Sequence, residues 1–192
     1  MKIAVLALQG AFLEHEQMLK RLGISCIELR QKSDLLLSYN GIILPGGEST
    51  VQGKLLRNLD MFDTIKEQIS GGMPVMATCA GMILLAEKIE NDSHTYFQTI
   101  PMTVTRNAYG RQLGSFYTEG QLKELGTVPM TFIRAPYVSS ADPAVEILAV
   151  EKDRIVAVRY GNQIALAFHP ELNDHTGLHR QFLKMVSSWE KP

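Results

Sequence analysis

The sequence is short of several things, and each shortage closes off a class of protein. Charge of one sign is not in excess: 19 lysines and arginines face 20 acidic residues, with no Lys/Arg-rich run that would grip a phosphate backbone. Nucleic acid is therefore not an expected partner. Long apolar runs are missing too, so no stretch approaches the roughly 20 residues needed to span a bilayer. The opening run IAVLAL is short and leads into a polar helix, which predicts a first strand rather than a signal peptide. Cysteine is scarce: Cys26 and Cys79 cannot staple a disulfide scaffold, and a reducing cytoplasm is the default expectation. No residue cluster suggests a metal or an organic cofactor. Repeats, low-complexity segments and flexible linkers are absent, so residues 1–192 are expected to form one domain, long enough for a sizeable core.

What is present alternates. KIAVLAL (2–8), ISCIEL (24–29), GIILP (41–45) and PVMAT (74–78) read as strands, the apolar ones as strands buried on both faces. Between them FLEHEQMLKRLG (12–23), VQGKLLRNL (51–59) and FDTIKEQIS (62–70) carry helical stripes. Strands separated by helices imply right-handed crossovers and a parallel sheet with helices on both faces, an α/β fold. The second half reads differently. PMTVTRN, GSFYTEG, MTFIRAP, VEILAV, RIVAVRY and QIALAF are short strand-like runs, with EKDR and YGNQ as hairpin connections, and TGLHRQFLKMVSSWE closes the chain as a helix.

The stretch PVMATCAGMILLAEKI (74–89) places Cys79 just past a strand and continues, on this reading, as a helix. Ligands of open parallel sheets sit beyond the carboxyl ends of the strands. A sharp nucleophile elbow needs small residues two positions either side, and Ala77 and Gly81 stand there. The turn sets Cys79 at a helix N-terminus, which favours a thiolate, with the Ala80 N–H beside a developing oxyanion. Core packing of a small hydrophobe is the competing reading. Cys26, inside ISCIEL with no turn beside it, reads as structural.

A thiolate nucleophile needs a base, and the base an orienting partner. His15, between Glu14 and Glu16, reads as part of a solvated helix face, and His94 lies in a polar stretch. His175 and His179, four apart, read as one surface helical face without a third metal ligand. His169 differs: it ends an apolar run and precedes Pro170 and Glu171. Pro170 pushes His169 into an extended conformation, in which residue i+2 points to the same side. Glu171 can then reach the imidazole and fix its tautomer.

The loop LPGGEST (44–50) fails as a phosphate loop, because five residues separate Gly47 from Gly53 and Leu55 follows Lys54. Two consecutive glycines can instead turn an N–H toward a reacting carbonyl as a second oxyanion donor. Glu48 and Ser49 could hold a polar substrate, although Ser49 or Thr50 could equally serve as a helix cap.

With LPGGEST, TCAG and FHPEL on the page in this order, the chain resembles the class I (triad) glutamine amidotransferases, from residue 1 to about residue 186. LALQGAFLEHE, RNAYGRQ (106–112) and FIRAP (132–136) add to the likeness. The resemblance implies a three-layer, flavodoxin-like fold with a mostly parallel central sheet. It implies hydrolysis of L-glutamine to glutamate and ammonia through a thioester on Cys79, with His169 moving the proton and Glu171 orienting it. It assigns the oxyanion hole to Gly47 and Ala80, and glutamine binding to Gly46, Gly47, Glu48, Ser49, Arg106, Ile133 and Arg134. It further implies that ammonia passes, within a large heteromeric complex, to a synthase subunit that builds pyridoxal 5′-phosphate, and that the isolated chain is nearly inactive until that partner docks. Two departures stand out: Ala77 replaces a usual glycine, and ALAF replaces a run that commonly holds Cys and Ser. The rivals are a glutaminase serving another acceptor, a thiol-based stress protein on a related scaffold and a binding module with a dead site.

Overall fold

The computed structural model describes residues 1–106 and 114–189. Its first half is built as the alternation predicts. Strand β1 (Lys2–Leu6), helix α1 (Phe12–Arg21), strand β2 (Ser25–Leu29) and strand β3 (Gly41–Leu44) come first. Helices α2 (Ser49–Asn58) and α3 (Phe62–Ser70), strand β4 (Val75–Thr78) and helix α4 (Ala80–Leu85) follow. The second half adds β5 (Ala86–Ile89), β6 (Ile100–Thr105), β7 (Ser115–Leu122), β8 (Gly126–Ile133), β9 (Tyr137–Ala141), β10 (Glu146–Glu151), β11 (Arg154–Tyr160) and β12 (Gln163–Leu166), then helix α5 (Gly177–Ser188).

The main sheet runs β2-β1-β3-β4-β12-β11-β9-β6-β5, with β10 paired to β11. From β2 to β12 all pairings are parallel, which makes a continuous five-stranded parallel core. Every residue of β3, β4 and β12 is buried, as expected where both faces are covered. The chain steps from β1 to β2 in one direction and from β3 to β4 in the other. Right-handed crossovers then put α1 on one face and α2–α3 on the opposite face. The reversal falls between β1 and β3, and such a switch point is where open α/β sheets bind ligands.

Beyond β12 the sheet turns antiparallel through β11, β9 and β6, with β5 parallel at the edge. EKDR and YGNQ do form hairpin turns, joining β10–β11 and β11–β12. The pair β7–β8 stands apart as a two-stranded antiparallel sheet.

Two readings need correcting. The run after Cys79 is not helical to its end: Ala86 takes φ −63°, ψ 139° and the chain enters β5. An all-apolar run carries no period to mark the change, and pairing of Ala86 with Ile100 on β6 decides it. Strand β9, with a polar Ser-Ser pair and a start just after Pro136, was not anticipated. Pairing with β6 and β11 on its two sides overrides its weak pattern.

Candidate active site

The carboxyl ends of β1, β3, β4 and β12 share one rim, and each contributes. Register makes this concrete: Leu166 on β12 pairs with Thr78 on β4, so Cys79 follows one residue on and His169 three. The Cys79 N–H donates to the Leu166 carbonyl at 2.7 Å. Cys79 adopts φ 47°, ψ −100°, outside the regions open to L-residues at low cost. This is the strained elbow that the small flanking residues predict. Gly81 is required: a Cβ there would lie 2.2 Å from the Leu44 carbonyl oxygen. Ala77, in mid-register between Leu44 and Ala165, is buried with its methyl accommodated.

His169 lies against the glycine loop, since a Cβ on Gly46 would come within 2.2 Å of its Cε1. Its Nδ1 is 2.7 Å from Glu171 Oε1. The contact is as expected, but its geometry is not an extended i, i+2 alternation. Pro170 opens a 3₁₀ turn over Pro170–Leu172, for which its fixed φ suits it, and the turn folds Glu171 back. The His169 N–H donates to the Thr131 carbonyl at 2.8 Å, and Asn173 Nδ2 donates to the His169 carbonyl at 3.1 Å. Burial pushes the imidazole pKa down, but hydrogen bonds with Cys79 and Glu171 and their negative charge outweigh it and raise it from 6.5 to about 10. Burial pushes the Glu171 carboxyl up, but His15 and His169 hold it below its ordinary value. An ionised carboxylate thus faces a readily charged imidazole beside a thiol.

A cavity of about 230 Å³ opens at this rim, lined among others by Gln9, Gly46, Gly47, Cys79, Ile83 and His169. Drug-sized ligands occupy roughly 300–1,000 Å³, so this space suits one small metabolite. Glu48, Ser49, Arg106, Ile133 and Arg134 complete the wall, and every expected glutamine-binding residue therefore lies at the cavity. Cys79 Sγ approaches the Ile133 carbonyl at 3.8 Å, at the end of β8. Both arginines already meet carboxylates: Arg134 Nη2 is 3.3 Å from Glu48 Oε1, and Arg106 Nη1 donates to Asp92 Oδ2 at 3.0 Å. Of RNAYGRQ only Arg106 is described; 107–112 lie outside the described residues. Ala80 follows Cys79 as the first residue of α4.

The glycine loop is tied to the β1 end. Ala11 N–H donates to the Gly46 carbonyl at 3.0 Å, and the Glu48 N–H donates to Gln9 Oε1 at 2.8 Å. Gln52 Nε2 braces the same loop through the carbonyls of Gln9 and Pro45. A trans peptide points its N–H opposite its C=O, so the Gly47 N–H is directed away from Ala11. Ser49 opens α2 and is buried.

Three histidine expectations fail or change. His15 is fully buried, not solvated. His179 is also fully buried, and His175 precedes α5 instead of sharing its face. The two helices bring His15 Nδ1 within 3.0 Å of His179 Nε2, and His15 Nε2 lies 3.5 Å from Glu171 Oε2. The signal was available: Met18 and Leu19, three and four residues after His15, are on the buried stripe, and His179 precedes Phe182 by three. Gln9 and Thr131 were missed because their partners are distant in the chain, and Asn173 because its bond to the His169 carbonyl depends on the turn at Pro170. Cys26 is half-buried in β2, and burial pushes its thiol pKa up, which disfavours the reactive thiolate. Among the described residues no cluster of three or more His, Cys, Asp or Glu could hold a metal ion.

A model of the SNO glutamine amidotransferase family matches residues 5–188. A Desulfitobacterium hafniense (strain Y51) protein named pyridoxal 5′-phosphate synthase subunit PdxT is 61% identical over 187 residues, covering 97% of this chain and 94% of its own. A protein of the same name from Haemophilus influenzae (strain PittGG) is 53% identical over 186 residues, covering 95% and 97%. Among solved structures, a crystal structure of a glutamine amidotransferase superposes with a TM-score of 0.91 at 41% identity, covering 96% of this chain and 98% of that one.

Proposed function

The chain belongs to the SNO glutamine amidotransferase family, and on that premise we propose that its cavity hydrolyses the side-chain amide of L-glutamine. The protein is the glutaminase subunit that supplies ammonia for pyridoxal 5′-phosphate synthesis; its relatives are named as pyridoxal 5′-phosphate synthase subunits. The observation that carries the chemistry is the meeting of Cys79, His169 and Glu171 at one rim, with His169 Nδ1 2.7 Å from Glu171. A redox thiol would have no use for a carboxylate placed to orient a histidine.

On this reading the Cys79 thiolate attacks the amide carbon of glutamine. The tetrahedral oxyanion takes N–H donors from Ala80 and Gly47. The His169 imidazolium protonates the departing nitrogen, ammonia leaves, and a thioester on Cys79 remains. Water, deprotonated by the now neutral His169, cleaves the thioester to give glutamate. Glu171 holds one tautomer throughout and stabilises the imidazolium, as the carboxylate of a catalytic triad does. Arg106 or Arg134 would exchange its present carboxylate partner for the α-carboxylate of the substrate, a bidentate match for a guanidinium. The residues 1–192 act as one glutaminase domain, docked on a separate synthase subunit that accepts the ammonia. A reducing cytoplasm suits a free catalytic thiol; among the described residues no helix is long and apolar enough to cross a membrane.

The test is glutamine hydrolysis with and without the synthase subunit. Wild-type turnover should rise on adding the synthase. Cys79→Ala and His169→Asn should each abolish turnover while the far-UV circular dichroism stays unchanged. Full activity in Cys79→Ala would end the proposal.

A further inference from the structure

Behind the triad lies a buried polar cluster that the reaction as written does not use. Glu171 places Oε1 on His169, but its second oxygen, Oε2, is buried with no hydrogen-bond donor among the described residues. A carboxylate oxygen left bare in the interior is costly. The polar atom facing it is His15 Nε2, at 3.5 Å, which also lies 3.2 Å from Thr78 Oγ1. His15 Nδ1 meets His179 Nε2 at 3.0 Å, and both rings are fully buried. Three elements converge here: α1 brings His15, the 3₁₀ turn brings Glu171 and α5 brings His179.

The protons in this cluster can be assigned. Only one of two facing imidazole nitrogens can carry the shared hydrogen when both rings are neutral. If His15 Nδ1 donated to His179, the His15 Nε2 lone pair, even accepting from the Thr78 hydroxyl, would face the Glu171 carboxylate and leave Oε2 without a donor. The reverse places His179 Nε2–H on His15 Nδ1 and His15 Nε2–H toward Thr78 and Glu171. It leaves His179 Nδ1 as a bare acceptor, and that atom has no hydrogen-bond partner among the described residues. Burial lowers the pKa of both rings and so favours their neutral forms.

We infer that His15, oriented by His179, is a positioning residue of the glutaminase reaction, whose Nε2–H fixes the second oxygen of Glu171 and holds it ionised against His169. It touches no substrate and acts through Glu171; the inference rests on the glutaminase reading for its kinetic consequence. The titratable groups facing the carboxylate are His169 from its own turn and His15 from α1; His15 in turn faces His179 from α5 and, at longer range, Glu14. An N–H aimed at Oε2 from 3.5 Å favours the ionised carboxyl, while burial disfavours it. Removing His15 therefore raises that pKa, and Glu171 is protonated and released from His169 at higher pH.

The test compares wild type, His15→Leu and His15→Gln in the complex with the synthase subunit. Gln retains an N–H near the Nε2 position and Leu does not. His15→Leu should lower kcat about tenfold with KM for glutamine unchanged. The acid limb of its kcat profile should move up by about one pH unit, the lower end of what a contact to a charged group is worth. His15→Gln should restore most of that shift. A purely structural role would scale kcat at every pH and leave the limb in place; that result overturns the inference. Two measurements stand apart from glutaminase activity. Long-range ¹H–¹⁵N spectra of the wild type should show both rings neutral and protonated at Nε2 at pH 7, and a charged His15 or an Nδ1–H tautomer would refute the assignment. Iodoacetamide labelling of Cys79, followed by mass spectrometry, should show the same displaced acid limb in His15→Leu. If the wild type failed to hydrolyse glutamine, the functional reading would fall, and the labelling profile would still decide the role of His15.

Discussion

The backbone at Cys79 makes a claim about stability that is separable from catalysis. At φ 47°, ψ −100°, the residue lies outside even the left-handed helical region, whose ψ runs near +30 to +60°. Such a conformation costs a non-glycine residue about 1–3 kcal/mol. Cys79→Ala keeps the Cβ and the strain, while Cys79→Gly removes both. Both lack the sulfur, so their difference isolates the backbone. Glycine gives back roughly 0.4–1 kcal/mol through the entropy of its unfolded chain. Cys79 borders the cavity but is only 6% exposed, so burial of the alanine methyl returns up to about 0.8 kcal/mol. Midpoints leave about 0.5 kcal/mol in favour of glycine. For a chain of this size that is about 1–2 °C in Tm. The assay is calorimetry on the two inactive variants. An alanine variant melting at or above the glycine variant would refute the argument that the fold holds the nucleophile under strain.

Three further outcomes follow from the same geometry. Glu171→Gln removes the charge that, with Cys79, lifts His169 to about 10 and leaves at most a neutral amide acceptor on Nδ1, while the lowering effect of burial remains. The alkaline limb of kcat/KM should then move down by roughly one to three pH units, and turnover should fall less than in His169→Asn; an unmoved limb would show that Glu171 does not charge the imidazole. The linked stability has a definite sign. A folded-state pKa raised above the unfolded 6.5 stabilises the fold below about pH 6.5, and this contribution is lost as pH rises toward 10. Gly46→Ala would set a methyl 2.2 Å from His169 Cε1, forcing the ring aside by more than 1 Å, and kcat should drop about 100-fold with Tm nearly unchanged; kcat within threefold of wild type would mean the ring does not rest on that backbone.

How much of this the chain discloses depends on how far apart the partners are. Strands β1, β3 and β4 are legible because burial on both faces leaves an unbroken apolar run. The elbow and the His169–Glu171 pair are legible because each is coded within a few adjacent residues, so local sterics suffice. Strand β9 and the passage from α4 into β5 are not, since pairing across the sheet decides them and local pattern does not. The cluster behind Glu171 is the sharpest case: His15 and His179 are 164 positions apart in sequence, and meet only once α1 and α5 pack on the same face. Helical spacing puts His15 in line with Met18 and Leu19 on the buried stripe, but two flanking glutamates, as residue types, suggest a solvated face. A buried histidine in such a place needs a polar partner, and no local pattern names it. The strand order supplies that partner, because β12 beside β4 brings the turn carrying Glu171 under α1. The parallel core that aligns the nucleophile with its base thereby also determines what stands behind the base.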